Sequence, residues 1–239
     1  VAFAAIPEPI PAPDAGGIVG VDRGVVVSAA LSTGELLSVP ALRDTERKRL
    51  LRLRRKLARA RRGSNRRTKV KLAVARLRAR EADRRKDWVE KISTDLARRF
   101  EVIAVEELKV SAMTRSARGT IEVPGRNVRQ KAGLNRGILA AGWGRLVTRL
   151  EHKAPGRVQK IDPCFTSQTC NACGHRAGES RESQALFRCV ACGHQVNADV
   201  NAARNIRDTA AGHAVAARGG LPLGRPVNRE PQRDLLFVG

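Results

Sequence analysis

Ile18-Val19-Gly20-Val21 is a short apolar run closed by Asp22, the pattern of a buried strand that ends on a carboxylate. Residues 25–31 and 36–39 repeat the short apolar pattern on either side of Ser32-Thr33-Gly34, which predicts an antiparallel meander of three strands. From Leu42 the period changes. Leu50, Leu53 and Leu57, then Val70, Val74 and Leu77, then Trp88, Ile92 and Leu96 recur at three- and four-residue steps, so each set shares one helix face. Gly63-Ser64-Asn65 interrupts the run, predicting a helical hairpin over 43–62 and 66–99. Residues 101–105 return to a strand pattern that ends in Glu106-Glu107. The stretch 110–130 is basic and reads as irregular and mobile. Residues 134–153 read as one helix, with Ile138, Leu139, Trp143, Leu146, Val147 and Leu150 on its core side. A last strand is expected over 157–161 and a last helix from Asp199 to about 207. From about Gly212 the mixture of Gly, Pro and charge predicts a disordered tail.

Charge changes this picture most. The 239 residues carry a formal net charge of +23, and 43–99 alone holds 24 Lys/Arg against seven Asp/Glu. A field that concentrated points to a polyanionic partner. Nucleic acid suits it better than a membrane, because no apolar run approaches the roughly 20 residues needed to span a bilayer. A solvated basic face is the plainer alternative, but the charge density exceeds what solubility needs. Aromatics are scarce and Tyr is absent, which argues against a base-stacking sheet surface; Trp88 and Trp143 read as core.

Four of the five cysteines form Cys170-x-x-Cys173 and Cys189-x-x-Cys192, with fifteen residues between the pairs. This is zinc-ribbon spacing. Gly174 and Gly193 help each pair close a tight knuckle, so four thiolates can meet one structural zinc. Four thiolates leave no open coordination position, and His175 and His194 are therefore read as non-ligands. Free thiols in metal spacing point to a reducing compartment. Cys164, the odd cysteine, reads as a buried or half-buried small residue.

Three carboxylates share one kind of location. Asp22 ends the first strand, Glu106 or Glu107 ends the fourth, and Asp199 opens the last helix. Gathered at one corner of a sheet, they repel one another unless cations lie between them. Two magnesium ions would resolve the repulsion and create a phosphodiester-cleaving site. Taken singly, each has a plainer reading: Asp22 as a turn residue, Asp199 as a helix cap, Glu106 as a strand-end surface residue. Their order within a βββ–α–β–α–β layout favours the collective reading. That layout predicts an α/β, ribonuclease H-like (RuvC) mixed sheet with a long basic helical hairpin insertion and an inserted zinc ribbon.

The same residues resemble a known family. Gly20-Val-Asp22-Arg-Gly24, Val105-Glu106-Glu107-Leu108, Gly142-Trp143-Gly144, Lys153-Ala154 and Asp162-Pro163 carry the likeness. It continues through 166–175, 187–194 and Asn197-Ala-Asp199-Val-Asn-Ala-Ala-Arg-Asn-Ile206. Over about 16–210 the chain resembles the TnpB (OrfB-type) proteins of insertion sequences, the RNA-guided nucleases from which compact type V CRISPR effectors descend. The resemblance implies that Asp22, Glu106 and Asp199 are the catalytic, magnesium-binding residues and that Glu106, not Glu107, is the ligand. It implies DNA as substrate, guide RNA as partner of the full-length form, and a cytoplasmic, nucleoid-associated protein.

In that family a wedge-like β-barrel and a helical recognition region precede the nuclease core. Here residues 1–15 read as a remnant of such an upstream domain or linker, an N-terminal truncation. The nuclease core with its hairpin at 43–99 is expected over 16–163, the ribbon over 164–196, the last core helix over 197–211 and the tail over 212–239. Two other functions fit the same residues: a binding module that cuts nothing, and a transposase that joins strands by acidic-triad chemistry. Arg23 stands where a hydrophobic residue is common and has no role assigned from sequence.

Overall fold

The computed structural model describes residues 8–217. Five strands form one sheet in the order β3-β2-β1-β4-β5: β1 (Ile18–Asp22), β2 (Ala29–Leu31), β3 (Leu36–Leu37), β4 (Val102–Glu106) and β5 (Val158–Ile161). The β1–β2 and β2–β3 pairs are antiparallel, whereas β1–β4 and β4–β5 are parallel. The expected meander is therefore present, but its second and third strands are shorter, β2 starting at Ala29 and β3 stopping at Leu37. Gly24 turns the chain so tightly that a Cβ there would lie 2.6 Å from the Val27 carbonyl oxygen. Residues 25–28 bend away as a result, leaving Val26 74% exposed.

Between β3 and β4 the chain makes α1 (Asp44–Arg59) and α2 (Asn65–Arg99). Leu42, Leu50 and Leu77 form a small core between them, with Leu53 and Val74 against it. Ser64 caps α2, its Oγ accepting from the Arg67 N–H. Arg67 in turn donates to the Leu57 and Ala60 carbonyls at the end of α1. Arg84 closes the pair with a two-pronged bond to Glu46, 2.6 and 2.8 Å, and this bond holds Glu46 down at about 2.

Strand periodicity sorts the core into two layers. Val19, Val21, Ile103 and Val105 pack with Trp88, Val89, Leu96, Leu146 and Leu150 from α2 and α5 (Trp143–Lys153). Ile18, Ala104 and Ile161 pack with Ile206 and Ala210 of α6 (Ala198–Ala217). Alternate residues of one strand thus face opposite layers. Lys153, buried at the end of α5, spends its ammonium on the Glu90 carbonyl, Ser93 Oγ and Thr94 Oγ1 of α2.

Three expectations change. The single helix over 134–153 is two, α4 (Val128–Ala141) and α5, because Gly142 takes φ +73° between them. The break redirects α4, which buries Ile138 and Ala141 but leaves Leu139 60% exposed. Part of the irregular stretch is helical: α3 (Val110–Met113) and the start of α4 fall within it. The last helix runs on to Ala217 rather than stopping at 211; the rest of the expected tail, 218–239, lies outside the described residues, as do residues 1–7 of the expected remnant. Among the described residues no helix is long and apolar enough to cross a membrane.

Candidate active site and four-cysteine cluster

Two rules of the fold bring Asp22 and Glu106 together. β1 and β4 are adjacent parallel strands in the register Val21↔Val105, and each carboxylate lies one residue further on. Both also have the parity of Gly20 and Ala104, so both face α6. The helix comes unusually close there. A Cβ on Gly20 would lie 1.9 Å from the Ala203 carbonyl oxygen and 2.6 Å from the Arg207 nitrogen, so only glycine admits this contact. Asp199 sits one turn before Ala203, in the first turn of α6, and the close approach delivers it to the same strand ends. Asn197 Oδ1 accepts from the Asp199 and Val200 N–H groups and starts the helix.

The electrostatics record the crowding. Burial first, then the charges of Glu106 and Asp199, push Asp22 up from 3.8 to about 8. Burial also raises Glu106 and Asp199. Neighbouring donors pull against it. Thr166 Oγ1 donates to Glu106 Oε1 at 2.7 Å, and Arg181 pairs with Asp199 at 3.2 Å. Arg23, 6% exposed, donates to the Glu106 carbonyl. Thr166, Arg181 and Arg23 are the site residues that sequence reasoning left without a role. Arg181 carries no motif signal; Thr166 lies inside the family-like run but its partner is sixty residues away in sequence. The carboxylate oxygens of the trio do not all approach within 4.8 Å of one another; among the described residues only the four cysteines do so.

Those cysteines are built by two matching turns. Gly174 N–H bonds back to the Cys170 carbonyl and Gly193 N–H to the Cys189 carbonyl, at 2.8 and 2.9 Å, with both glycines at positive φ, +74° and +72°. The Cys170–Cys192 and Cys173–Cys189 sulfurs stand 3.8 and 3.6 Å apart. A tetrahedron of metal–sulfur bonds about 2.3 Å long has edges of about 3.8 Å, so the donor set fits a structural metal. The backbone N–H of Cys192 leads the groups that draw Cys189 down to about 6. Cys173, despite a backbone hydrogen bond from His175, is pushed up to about 12 by hydrogen bonding to the other sulfurs and by burial. Without a metal the sulfurs share protons, and a metal would take their place. His175 and His194 stand outside the cluster. Cys164, expected to be buried or half-buried, is exposed.

The cluster is anchored to the acidic helix. Strands β6 (Leu186–Arg188) and β7 (Gln195–Asn197) pair antiparallel and run straight into α6. The Asn171 backbone N–H donates to Asn201 Oδ1. Asn201 and Asn205 both donate to the Thr169 carbonyl, and Asn205 also to that of Thr166. The insertion therefore presents Thr166 to one carboxylate and Arg181 to another while three asparagines fix it to α6.

Residues 4–117 match the OrfB family model, described as "Probable transposase". Residues 143–206 match the Cas12f1-like TNB domain. Over 175 residues the chain is 44% identical to "Putative RNA-guided DNA endonuclease InsQ" of Escherichia coli, covering 72% of this chain and 44% of that protein. A "Putative RNA-guided DNA endonuclease" of Streptomyces pristinaespiralis is 36% identical over 173 residues, 71% of this chain and 39% of the relative. The chain thus spans less than half the length of these relatives. Among solved structures, the Cas12f1–sgRNA–target DNA complex aligns over 83% of this chain and 51% of its own, with a TM-score of 0.50 and 22% identity, a likeness of fold. With the two family models in sequence along it and these relatives beside it, the chain belongs to the TnpB (OrfB-type) insertion-sequence family.

Proposed function

We propose that this chain is the core of a transposon-encoded, RNA-guided DNA endonuclease with a ribonuclease H-like (RuvC) sheet. Asp22, Glu106 and Asp199 are its metal ligands, and Cys170, Cys173, Cys189 and Cys192 hold a structural zinc. The observation that carries this reading is the convergence of three carboxylates at one buried sheet corner, where burial and the charges of Glu106 and Asp199 together hold a proton on Asp22 up to about 8. A fold tolerates such repulsion without gain unless cations use it. Bound there, two magnesium ions would activate water and stabilise the leaving oxygen of a phosphodiester.

The chain's own groups prepare that chemistry. Asp22 would act as a ligand in its deprotonated form. Thr166 orients Glu106 by donating to its Oε1. Arg181 screens Asp199. The basic surface of α1 and α2 holds a nucleic-acid strand through its phosphates, which gives steep salt dependence and little base preference. DNA and a guide RNA are the chain's partners, and its work is at the nucleoid in the cytoplasm. The core is formed by 16–163 and the segment from 197 whose helix runs on to Ala217, with the ribbon over 164–196 between them.

The test is cleavage of single-stranded DNA by the purified chain with and without magnesium. Asp22→Ala should abolish magnesium-dependent cleavage while DNA affinity stays the same or rises slightly. Equal residual cleavage by wild type and variant would refute the enzyme reading. Strand-joined product in place of cut ends would favour the transposase reading.

A further inference from the structure

A cavity of about 280 Å³ lies between α2, α4 and α5, lined in part by Arg85, Lys86, Arg145, Ile138, Leu139 and Trp143. That volume is near the lower end for small-molecule pockets, about 300 Å³, and matches one nucleotide unit better than a large cofactor. Its charge is lopsided. Arg85 Nε is buried without a hydrogen-bond partner, and the side-chain stem packs on Gly142, Cδ 3.3 Å from where a Cβ would stand. Arg145 is exposed and makes no ion pair or hydrogen bond among the described residues. Lys86 has only a loose surface contact with Asp83, 3.5 Å. Helix α4 ends and α5 begins at Gly142, so the two helix-end dipoles oppose each other there and the positive potential comes from the side chains.

A second hollow, beside Glu90 and Lys153, has two carboxylates in its lining, Glu90 and Asp95, and two of its three cations are engaged, Lys153 with Glu90 and Lys91 with Asp87. The first cavity differs in holding cations without anions and an apolar wall opposite them. It is also tied to the carboxylate corner. Trp143 Nε1 donates to the Gly24 carbonyl at 3.0 Å, two residues beyond Asp22.

We propose that this cavity binds one nucleotide of a nucleic-acid strand, its phosphate on Arg85, Lys86 and Arg145 and its base or sugar against Ile138, Leu139 and Trp143. The proposal rests on the reading that the chain acts on nucleic acid. Phosphodiesters of DNA and RNA share the recognised chemistry, and the indole contact makes occupancy felt at the loop that follows Asp22.

Trp88 and Trp143 are the two tryptophans, and there is no tyrosine, so intrinsic emission reports directly on the cavity wall. The 239-residue chain is titrated with thymidine 3′,5′-bisphosphate, uridine 3′,5′-bisphosphate or inorganic phosphate at physiological salt. A saturable change in emission is expected with a bisphosphate, and it persists in Trp88→Phe. Losing one charge-assisted phosphate contact should weaken binding about tenfold in Arg85→Met. Arg145→Ala, an exposed change that spares the fold, should weaken it several-fold. Arg188→Met, an equal charge loss on the ribbon, should change it less than twofold. The tighter of the two bisphosphates identifies the strand as DNA or RNA. Unchanged emission, equal affinities in all three arginine variants, or an equal response to inorganic phosphate would overturn the proposal. A tryptophan response in a chain that cuts no DNA would leave the cavity assigned and remove the nuclease reading; cleavage without the response would do the reverse.

Discussion

Asp22→Asn removes the cost of burying the Asp22 charge beside two other carboxylates and leaves the rest of the fold in place. In the magnesium-free protein Asp22 keeps its proton up to about 8, against 3.8 in the unfolded chain. Between those values the folded state holds a proton that the unfolded state has lost, so stability falls as pH rises from about 4 to about 8. At pH 7 the gap is roughly 3 pH units, which corresponds to about 4 kcal/mol. Asparagine has the same shape and no charge to lose. Weakening the hydrogen bond from the Arg23 backbone offsets about 1 kcal/mol of the gain. The variant should therefore be more stable than wild type by about 3 kcal/mol at pH 7, a rise of roughly 6–12 °C in Tm, and no more stable at pH 4. Thermal melts followed by circular dichroism, in magnesium-free buffer without a chelator, give the comparison. Added magnesium should raise the wild-type melt and leave the variant's almost unmoved. A wild-type melt that is flat between pH 4 and 8, or a variant that tracks wild type across that window, would refute the reasoning.

Three further outcomes follow from the same contacts. Gly20→Ala puts a methyl 1.9 Å from the Ala203 carbonyl oxygen and should cost about 3 kcal/mol, read as a lower urea midpoint; an unchanged midpoint would mean that α6 does not rest on that glycine. Arg181→Ala removes a cation paired with Asp199 and should raise magnesium affinity without DNA by roughly two- to fivefold in calorimetry, whereas an unchanged affinity would place Arg181 outside the metal site. Stripping zinc with a strong chelator should release one ion per chain and speed hydrogen exchange first within 164–197, before β1 and β4; exchange that quickens everywhere at once would mean the cluster does not fold as a clip of its own.

Periodicity carried the parts of the fold that repeat. Ile18–Asp22 and Val102–Glu106 are short apolar runs ending on acids, and strand parity alone turns Asp22 and Glu106 toward one layer. The hairpin helices followed from leucine spacing, with the glycine break at 63 marking their turn. What escaped notice depended on single backbone angles and on long-range partners. The apolar pattern runs unbroken through Gly142 whether or not φ turns positive, so α4 and α5 read as one helix and Leu139 as core. The valines at 25–27 look like strand until the Gly24 turn is seen. Arg181 and Thr166 reach the acidic corner only because asparagines 171, 201 and 205 dock the ribbon on α6, a contact with no periodicity to betray it. Arg23 follows Asp22 directly, yet its carbonyl partner is on another strand.

Manganese replaces magnesium at carboxylate sites and scatters anomalously, so crystals of the chain grown with manganese address the central claim without requiring turnover. Manganese peaks bridging Asp22, Glu106 and Asp199, with a separate zinc peak among the four sulfurs, are the expected result. Crystals saturated with manganese that carry none at those carboxylates, and still show Arg181 against Asp199, would contradict the assignment of this corner as a divalent-metal nuclease site.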